Sequence, residues 1–532
     1  MMTKFIEKVP FYPYLIAIYP VVYLLAENIR EINAGAGLRA ALFFLTIAAL
    51  AILFGCLLSH NTRKGAIIGG VMLLTFFLIF FVLYAPLYRS LREVQLAGQV
   101  LGRHRYLVPM SLILILAAGF GGFALTRRRS EKQLKGITFA LNAISSVLIL
   151  IPLISMLIYT GNRQFSTGMK TSELPLLADM DDSPGLKPDV YLIILDMHVS
   201  DTALKTLTGY EDIPFSNSLR EKGFYIADCS RSNYPATQYS ITSQLNMDYI
   251  HNLTDSTDAK VLYQLMQSSR VERTLRSLGY RTYAFETGYQ FTELHGADEF
   301  LRPLGSATAL LTYPGVTPFE SLLLQVSGGR ILYETRDQLS QKMQYLIDAA
   351  YVEYRDRILY DLETLPGIAK DAGPKFVFAH IMAPHSPFVF DREGNFVQRR
   401  TPFTLTADPE GYDFYEFSDA YYEELLYLHK RVLGVVDEIL SNSQTPPVII
   451  LQGDHGMPRT AHRNAQYEIY FAIYMADKSS EALYSTLSPV NSFRVIFNDL
   501  FGTDYPLLPD ETYYFDDEQG EYLQFSGTFT CP

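Results

Sequence analysis

Five uncharged, mostly apolar runs fill most of the first 162 residues: Val9–Ala26, Ala40–Ser59, Gly65–Tyr88, Tyr106–Thr126 and Gly136–Asn162. Each approaches or exceeds the ~20 residues that a helix needs to cross a bilayer. Runs of this kind leave the chain few alternatives, because in hydrocarbon every backbone N–H and C=O has to be bonded inside the segment. A cleaved leader is the competing reading of the first run, since Lys4 and Lys8 precede it. Tyr12, Pro13, Tyr14, Tyr19 and Pro20 make a poor signal core, and four further runs follow. Five retained membrane helices within residues 1–162 are therefore expected.

Charge divides the chain at the same place. Residues 1–160 carry 15 Lys and Arg against 5 Asp and Glu, whereas the rest carries 29 against 51. The most basic connection, with Arg127, Arg128, Arg129, Lys132 and Lys135, belongs on the cytoplasmic side. With five spans this puts the C-terminal part outside, and the chain reads as a multi-pass protein of the cytoplasmic (inner) membrane with an extracytoplasmic catalytic domain. The loop with Arg89, Arg92, Arg103 and Arg105 then also lies outside, against the charge rule. An acidic soluble half argues against a nucleic-acid partner. Of the three cysteines, Cys56 lies in a span, and the sequence leaves open whether Cys229 and Cys531 pair or stay free.

Residues 163–187 hold Ser, Gly, Pro and Asp without a sustained period and read as a linker. From 188 onward the pattern alternates. Val190–Leu195 is an apolar run between Asp189 and Asp196, as a central strand buried on both faces would be. A helix over 215–222 leads to a short strand at 223–227, and Pro235 precedes a helical stretch opening near Thr237. Helix, glycine and strand recur at 271–285. A helix over 348–365, stopped by Pro366-Gly367, precedes a strand over 375–380, and a helix over 421–440 precedes the apolar strand 447–454. Alternation of this kind predicts an α/β sandwich with a mainly parallel sheet. Ligands bind beyond the carboxyl ends of such strands, where Asp196, His380 and Asp454 fall.

Asp196, Asp454 and His455 offer hard oxygens and one imidazole, a set suited to Mn²⁺, Mg²⁺ or Zn²⁺. Thr237 at a helix start would stand where unpaired N–H groups favour an alkoxide and an anionic ester. Each has a plainer reading: Thr237 as an ordinary N-cap, Asp196 as a strand-end turn, Gly453-Asp-His-Gly456 as a tight turn.

Asp189–Asp196, the Asn233–Met247 helix start, His380-Ile-Met-Ala-Pro-His-Ser-Pro387 and Gly453-Asp-His-Gly456 together resemble the alkaline phosphatase/sulfatase superfamily. With five membrane spans ahead of them, the chain looks most like the membrane-anchored lipoteichoic acid synthase and phosphoglycerol transferase branch. The resemblance implies an alkaline-phosphatase-like domain over 188–532. It also implies one divalent ion, Mn²⁺ before Mg²⁺ or Zn²⁺, on Asp196, Thr237, Asp454 and His455, with Thr237 as nucleophile and His385 touching substrate. The implied activity moves a phosphoglycerol-type unit from an anionic lipid donor to a carbohydrate or polymer acceptor. A hydrolase, with water as acceptor, and a non-catalytic binding protein of the same fold are the alternatives. Cys229-Ser-Arg-Ser-Asn233 lacks the Pro and second Arg of the formylglycine motif, which argues against sulfate-ester hydrolysis by that route. Asp196 is followed by Met197 where sulfatases present paired acids, so a second metal is not implied. Arg459, His462, His380, His295 and His429 receive no role.

Overall fold

The computed structural model describes residues 9–29, 32, 34–91, 94–96, 99–161, 187–210, 213–303, 313–405, 414–457, 463–476, 482–516, 518–527, 529 and 531. The linker expected at 163–187 lies outside these apart from Lys187, as do Arg459 and His462. Two compact units result: residues 1–164 with 305–351 and 399–404, and residues 165–304 with 352–398 and 405–532.

In the first unit the apolar runs are helices: α1 (Tyr12–Glu27), α2 (Leu38–Ser59), α3 (Thr62–Phe77), α4 (His104–Arg127) and α5 (Glu131–Gly161). Among the described residues four stretches, Ala34–Ser59, Thr62–Leu83, His104–Arg127 and Glu131–Tyr159, are long and apolar enough to cross a membrane. α1, at 16 residues, is shorter. It rises about 24 Å against the ~30 Å of a hydrocarbon core. Asn142 of α5 receives the Phe11 and Tyr12 N–H groups at 3.1 and 2.9 Å, so two otherwise unbonded donors at the start of α1 are satisfied by a neighbouring helix.

The second unit is built on a seven-stranded sheet. Its strands are β1 (Val190–Leu195), β2 (Tyr225–Ile226), β3 (Arg281–Phe285), β4 (Glu299–Leu301), β5 (Lys375–Ile381), β6 (Val448–Gln452) and β7 (Phe471–Met475), in spatial order β2-β7-β6-β1-β5-β3-β4. β6, β1, β5, β3 and β4 run parallel, and β7 and β2 add an antiparallel edge. The two strands that read as apolar runs, β1 and β6, are central with β5, and all three are buried along their whole length. Val190 pairs with both Phe376 and Val448, so the three strands end side by side. That shared edge carries the acids.

Around the sheet pack α6 (Thr237–Asn246), α7 (Ala349–Ile368), α8 (Phe414–Asn442) and α9 (Pro489–Phe501). A continuous core joins Val190, Leu192, Ile194, Ile241, Leu245 and Phe493 across the sheet and two of these helices. One expected boundary moves: α7 does not stop at Pro366-Gly367 but runs to Ile368. A proline in the last turn removes one N–H near an end where few intrahelical bonds remain to be lost.

Candidate metal centre

β1 delivers Asp196 to the edge, and the chain reverses at once through Met197, whose φ of 66° is left-handed. The Asp196 N–H extends the ladder to Ile381 O at 2.9 Å, and the Met197 N–H donates to Asp454 Oδ1 at 3.1 Å. β6 delivers Asp454 and His455 beside it. The flanking glycines are needed for close approach: a Cβ on Gly453 would lie 2.2 Å from His198 O, and one on Gly456 1.9 Å from Ala465 O. Neither has a positive φ, so the backbone freedom of a tight turn is not the reason for them.

Asp196, Asp454 and His455 are buried, with one ligand atom each lying within 4.8 Å of the others. His455 Nδ1 bonds Gly456 O at 2.7 Å, which turns Nε2 toward the acids, 3.5 Å from Asp196 Oδ1 and 3.7 Å from Asp454 Oδ2. Those two carboxylate oxygens have no hydrogen-bond partner among the described residues. Burial alone would push the Asp196 carboxyl up, yet His385, His380 and His455 together hold it well below the usual carboxylate range. Burial pulls His455 down, and Asp454 with Asp196 more than restores it. Buried charge of this kind demands a counter-charge, and two orphaned carboxylate oxygens facing an imidazole nitrogen fit a divalent cation.

His380, on β5, joins the cluster. It is fully buried, with Nε2 3.4 Å from Asp196 Oδ2, and Nδ1 lies 3.1 Å from Thr292 Oγ1, itself 3.1 Å from Thr287 Oγ1. One hydroxyl, itself held by a second, therefore orients the imidazole that faces the acid. His385 follows β5. Its Nδ1 bonds Ser386 O at 2.7 Å, its ring centroid is 6.5 Å from that of His455, and its carbonyl accepts the Tyr354 hydroxyl at 3.0 Å.

Thr237 is the first residue of α6 and not its cap. Ala236 is the N-cap and supplies no side-chain bond. The Thr237 hydroxyl makes no hydrogen bond among the described residues, whereas Ser243 Oγ donates to Asp248 O at 2.7 Å. Paired amides, Gln244 to Gln452 at 2.7 Å and Gln452 back to Gln244 at 3.0 Å, tie α6 to the end of β6, two residues before Asp454.

His429, without a role in the sequence, meets His198. Their Nε2 atoms are 2.8 Å apart, and His429 stacks on Phe215 with centroids 3.7 Å apart. Burial and His429 together keep His198 well below the normal imidazole range. His429 lies in mid-helix α8 with no motif around it, and only the packing of α8 against the β1 turn could have found the pair. His295 is half exposed and paired with Glu293 at 3.4 Å, outside the metal cluster. Cys229 and Cys531 form a disulfide with Cα atoms 5.4 Å apart, so Cys229 is not a free thiol.

A family model described as Sulfatase matches residues 188–496, more than half of the 532-residue chain. Among solved structures, the chain is similar to the C-terminal periplasmic domain of EcEptC from Escherichia coli in complex with Zn, at 15% identity and a TM-score of 0.38, over 62% of this chain and 87% of that one. It is also similar to the integral membrane lipooligosaccharide phosphoethanolamine transferase A from Neisseria meningitidis, at 13% identity and a TM-score of 0.36, over 88% of each chain. A third is a protein of the alkaline phosphatase superfamily from Vibrio parahaemolyticus, at 11% identity and a TM-score of 0.36, over 68% and 88%. Among curated proteins none matches the chain. With the acids of β1 and β6 meeting at one sheet edge and the family's model spanning all seven strands of that sheet, the chain belongs to the sulfatase family, an enzyme of the alkaline phosphatase/sulfatase superfamily.

Proposed function

We propose that this enzyme is a metal-dependent phospho-group transferase anchored in the cytoplasmic membrane, taking a phosphoglycerol-type unit from a lipid phosphodiester and passing it to a carbohydrate or polymer. The observation that carries the reading is the pair of buried, unpartnered carboxylate oxygens on Asp196 and Asp454 beside His455, in a chain that brings its own membrane helices. Asp196, Asp454, His455 and Thr237 are proposed as the ligands, with Mn²⁺ ahead of Mg²⁺ and Zn²⁺. The bound ion supplies a Lewis acid that lowers the hydroxyl pKa and offsets the charge of the ester. In the proposed domain plan residues 1–162 anchor, 163–187 link, and the catalytic domain starts at 188 and faces the extracytoplasmic side.

In the first step Thr237 Oγ1 bonds to phosphorus, the bond from phosphorus to the diacylglycerol oxygen breaks, and that departing oxygen takes up a proton in place of the one the threonine hydroxyl loses. In the second an acceptor hydroxyl attacks the same phosphorus and loses its proton, and Thr237 Oγ1 leaves and is protonated again. The N–H groups opening α6 suit the anionic phosphoryl oxygens, and His385 is the candidate to touch them. Ser240 and Ser243 are the hydroxyl alternatives on α6; Ser243 is engaged with Asp248 O, and Ser240 lies nearly a turn further along, buried.

Incubation of the full-length enzyme with phosphatidylglycerol is expected to leave one phosphoglycerol mass increment on the peptide carrying Thr237, and Thr237→Ala to lose both adduct and turnover. An adduct on Ser240 would move the nucleophile by one turn. Discharge of the adduct to water at the same rate with and without a glycan acceptor would make the enzyme a hydrolase.

A further inference from the structure

Residues 313–347 fall between β4 and α7 in the chain, yet they pack as part of the helical unit. The contacts are specific. Arg39, at the start of α2, donates from Nε to Glu320 Oε1 at 2.7 Å and from Nη1 to Tyr313 O at 2.8 Å. Phe319 and Leu323 are buried in one apolar cluster with Val21, Phe44, Leu73 and Phe77 of α1, α2 and α3. Gly328 lies against Phe80 and Tyr84, where a Cβ would come within 2.6 and 3.0 Å. Glu334 accepts the first N–H of α4, that of His104, at 2.9 Å.

All of these anchors belong to the same halves of the membrane helices: the second half of α1, the first half of α2, the end of α3 with its continuation, and the start of α4. The opposite ends carry their own polar layer, where Arg63 pairs with Glu131 and Lys64 Nζ reaches Arg127 O at 3.4 Å. Crossing helices end at the boundary of the hydrocarbon, so an element bolted to one set of ends lies at the headgroup level. On that element Val326, Met343 and Tyr345 are 37, 42 and 53% exposed. Val326 stands two residues from Gly328, which lies against Phe80 and Tyr84 of the helix whose Val82 and Leu83 are among the exposed apolar residues of the bundle.

We infer that 313–347 is a membrane-surface element whose exposed Val326, Met343 and Tyr345 enter the headgroup layer of the bilayer that the N-terminal helices cross. Exposed apolar side chains scattered on a surface are ordinary in water. Held at a bilayer boundary they gain burial, and tyrosine suits that layer with an apolar ring and a polar tip. The partner is the lipid surface of the chain's own membrane. Within 313–347 Arg330, Arg336 and Lys342 balance Glu320, Glu334 and Asp337, so the element carries little net attraction for anionic lipid. The inference is independent of the phospho-transfer chemistry and of which way the helices point.

Val326→Cys, Met343→Cys and Tyr345→Cys, each with Cys56→Ser in the full chain, are spin-labelled in nanodiscs of phosphatidylethanolamine and phosphatidylglycerol, with exposed Lys370→Cys as the aqueous control. At least two of the three labels are expected to gain collisions with oxygen and lose them with a water-soluble nickel chelate, relative to the control. Two or more labels as open to the chelate as the control would overturn the inference. The substituted side chains point outward, so melting curves unchanged from the parent show that the labels report a folded element.

Discussion

At the residue scale the metal centre is a problem of buried charge. Asp454 is wholly buried, its Oδ1 receives one backbone N–H, and its Oδ2 has no partner among the described residues. Asp454→Asn or His455→Ala is expected to abolish retention of Mn, Mg or Zn through dialysis, while the melting temperature without metal stays near that of the parent, since strand-end loops contribute little to the core. Unchanged metal content would remove both residues from the site. Asp361 on α7 is a different case. Burial pushes its carboxyl well up, Glu286 adds to the rise, and Arg357 only partly opposes it. Its folded pKa thus exceeds the unfolded ~3.9, so its contribution is fully present below that pH and is lost as pH rises toward the folded value. Asp361→Asn is expected to raise the melting temperature at pH 7 by about 2–4 °C, the shift that roughly 1 kcal/mol makes in a large domain, and to leave it unchanged near pH 4. A gain of equal size at both pH values would contradict this.

At the element scale the site depends on how closely two loops pass. The β6 loop is threaded so tightly that Gly456 N–H bonds Gln466 O at 2.9 Å and no Cβ fits beside Ala465 O. Gly456→Ala is expected to displace the Asp454-His455 pair and to weaken metal binding by about tenfold or more, the range of changes around metal ligands. Isothermal titration of the metal-free protein checks this, and an unchanged affinity would mean that the 463–466 turn yields instead. The glycines were legible in the sequence as markers of an unusual backbone, but the reason for them was not, because close approach involves His198 and Ala465, remote from one another along the chain. α6 was legible as well, from Pro235 and the spacing of Ile241 and Leu245. What it hides in sequence is that Ala236, not Thr237, takes the capping position and leaves the hydroxyl unbonded.

At the scale of the whole molecule, orientation is the property to test. A reporter fused after Lys170 is expected to be extracytoplasmic, since α5 starts beside the basic Arg127–Lys135 connection and ends near that point. A cytoplasmic signal would reverse the topology. Here the limits of sequence are physical. Membrane helices and central parallel strands could be read directly, because a segment surrounded by lipid or buried on both faces is mostly apolar along its length, as Val190–Leu195 and Val448–Gln452 are in the middle of the sheet. The acids at their ends could be read too, since the parallel register brings Asp196 and Asp454 to one edge. The strands Glu299–Leu301 and Phe471–Met475, the pairing of Cys229 with Cys531, and the His198–His429 contact have no local signature. Nor does the allegiance of 313–347, whose mixed composition suits either unit. Partners far apart in the chain decide these features: Arg39 meets Glu320 and His104 meets Glu334 only once both ends of each pair are folded, and no periodicity within 313–347 encodes which surface it will cover.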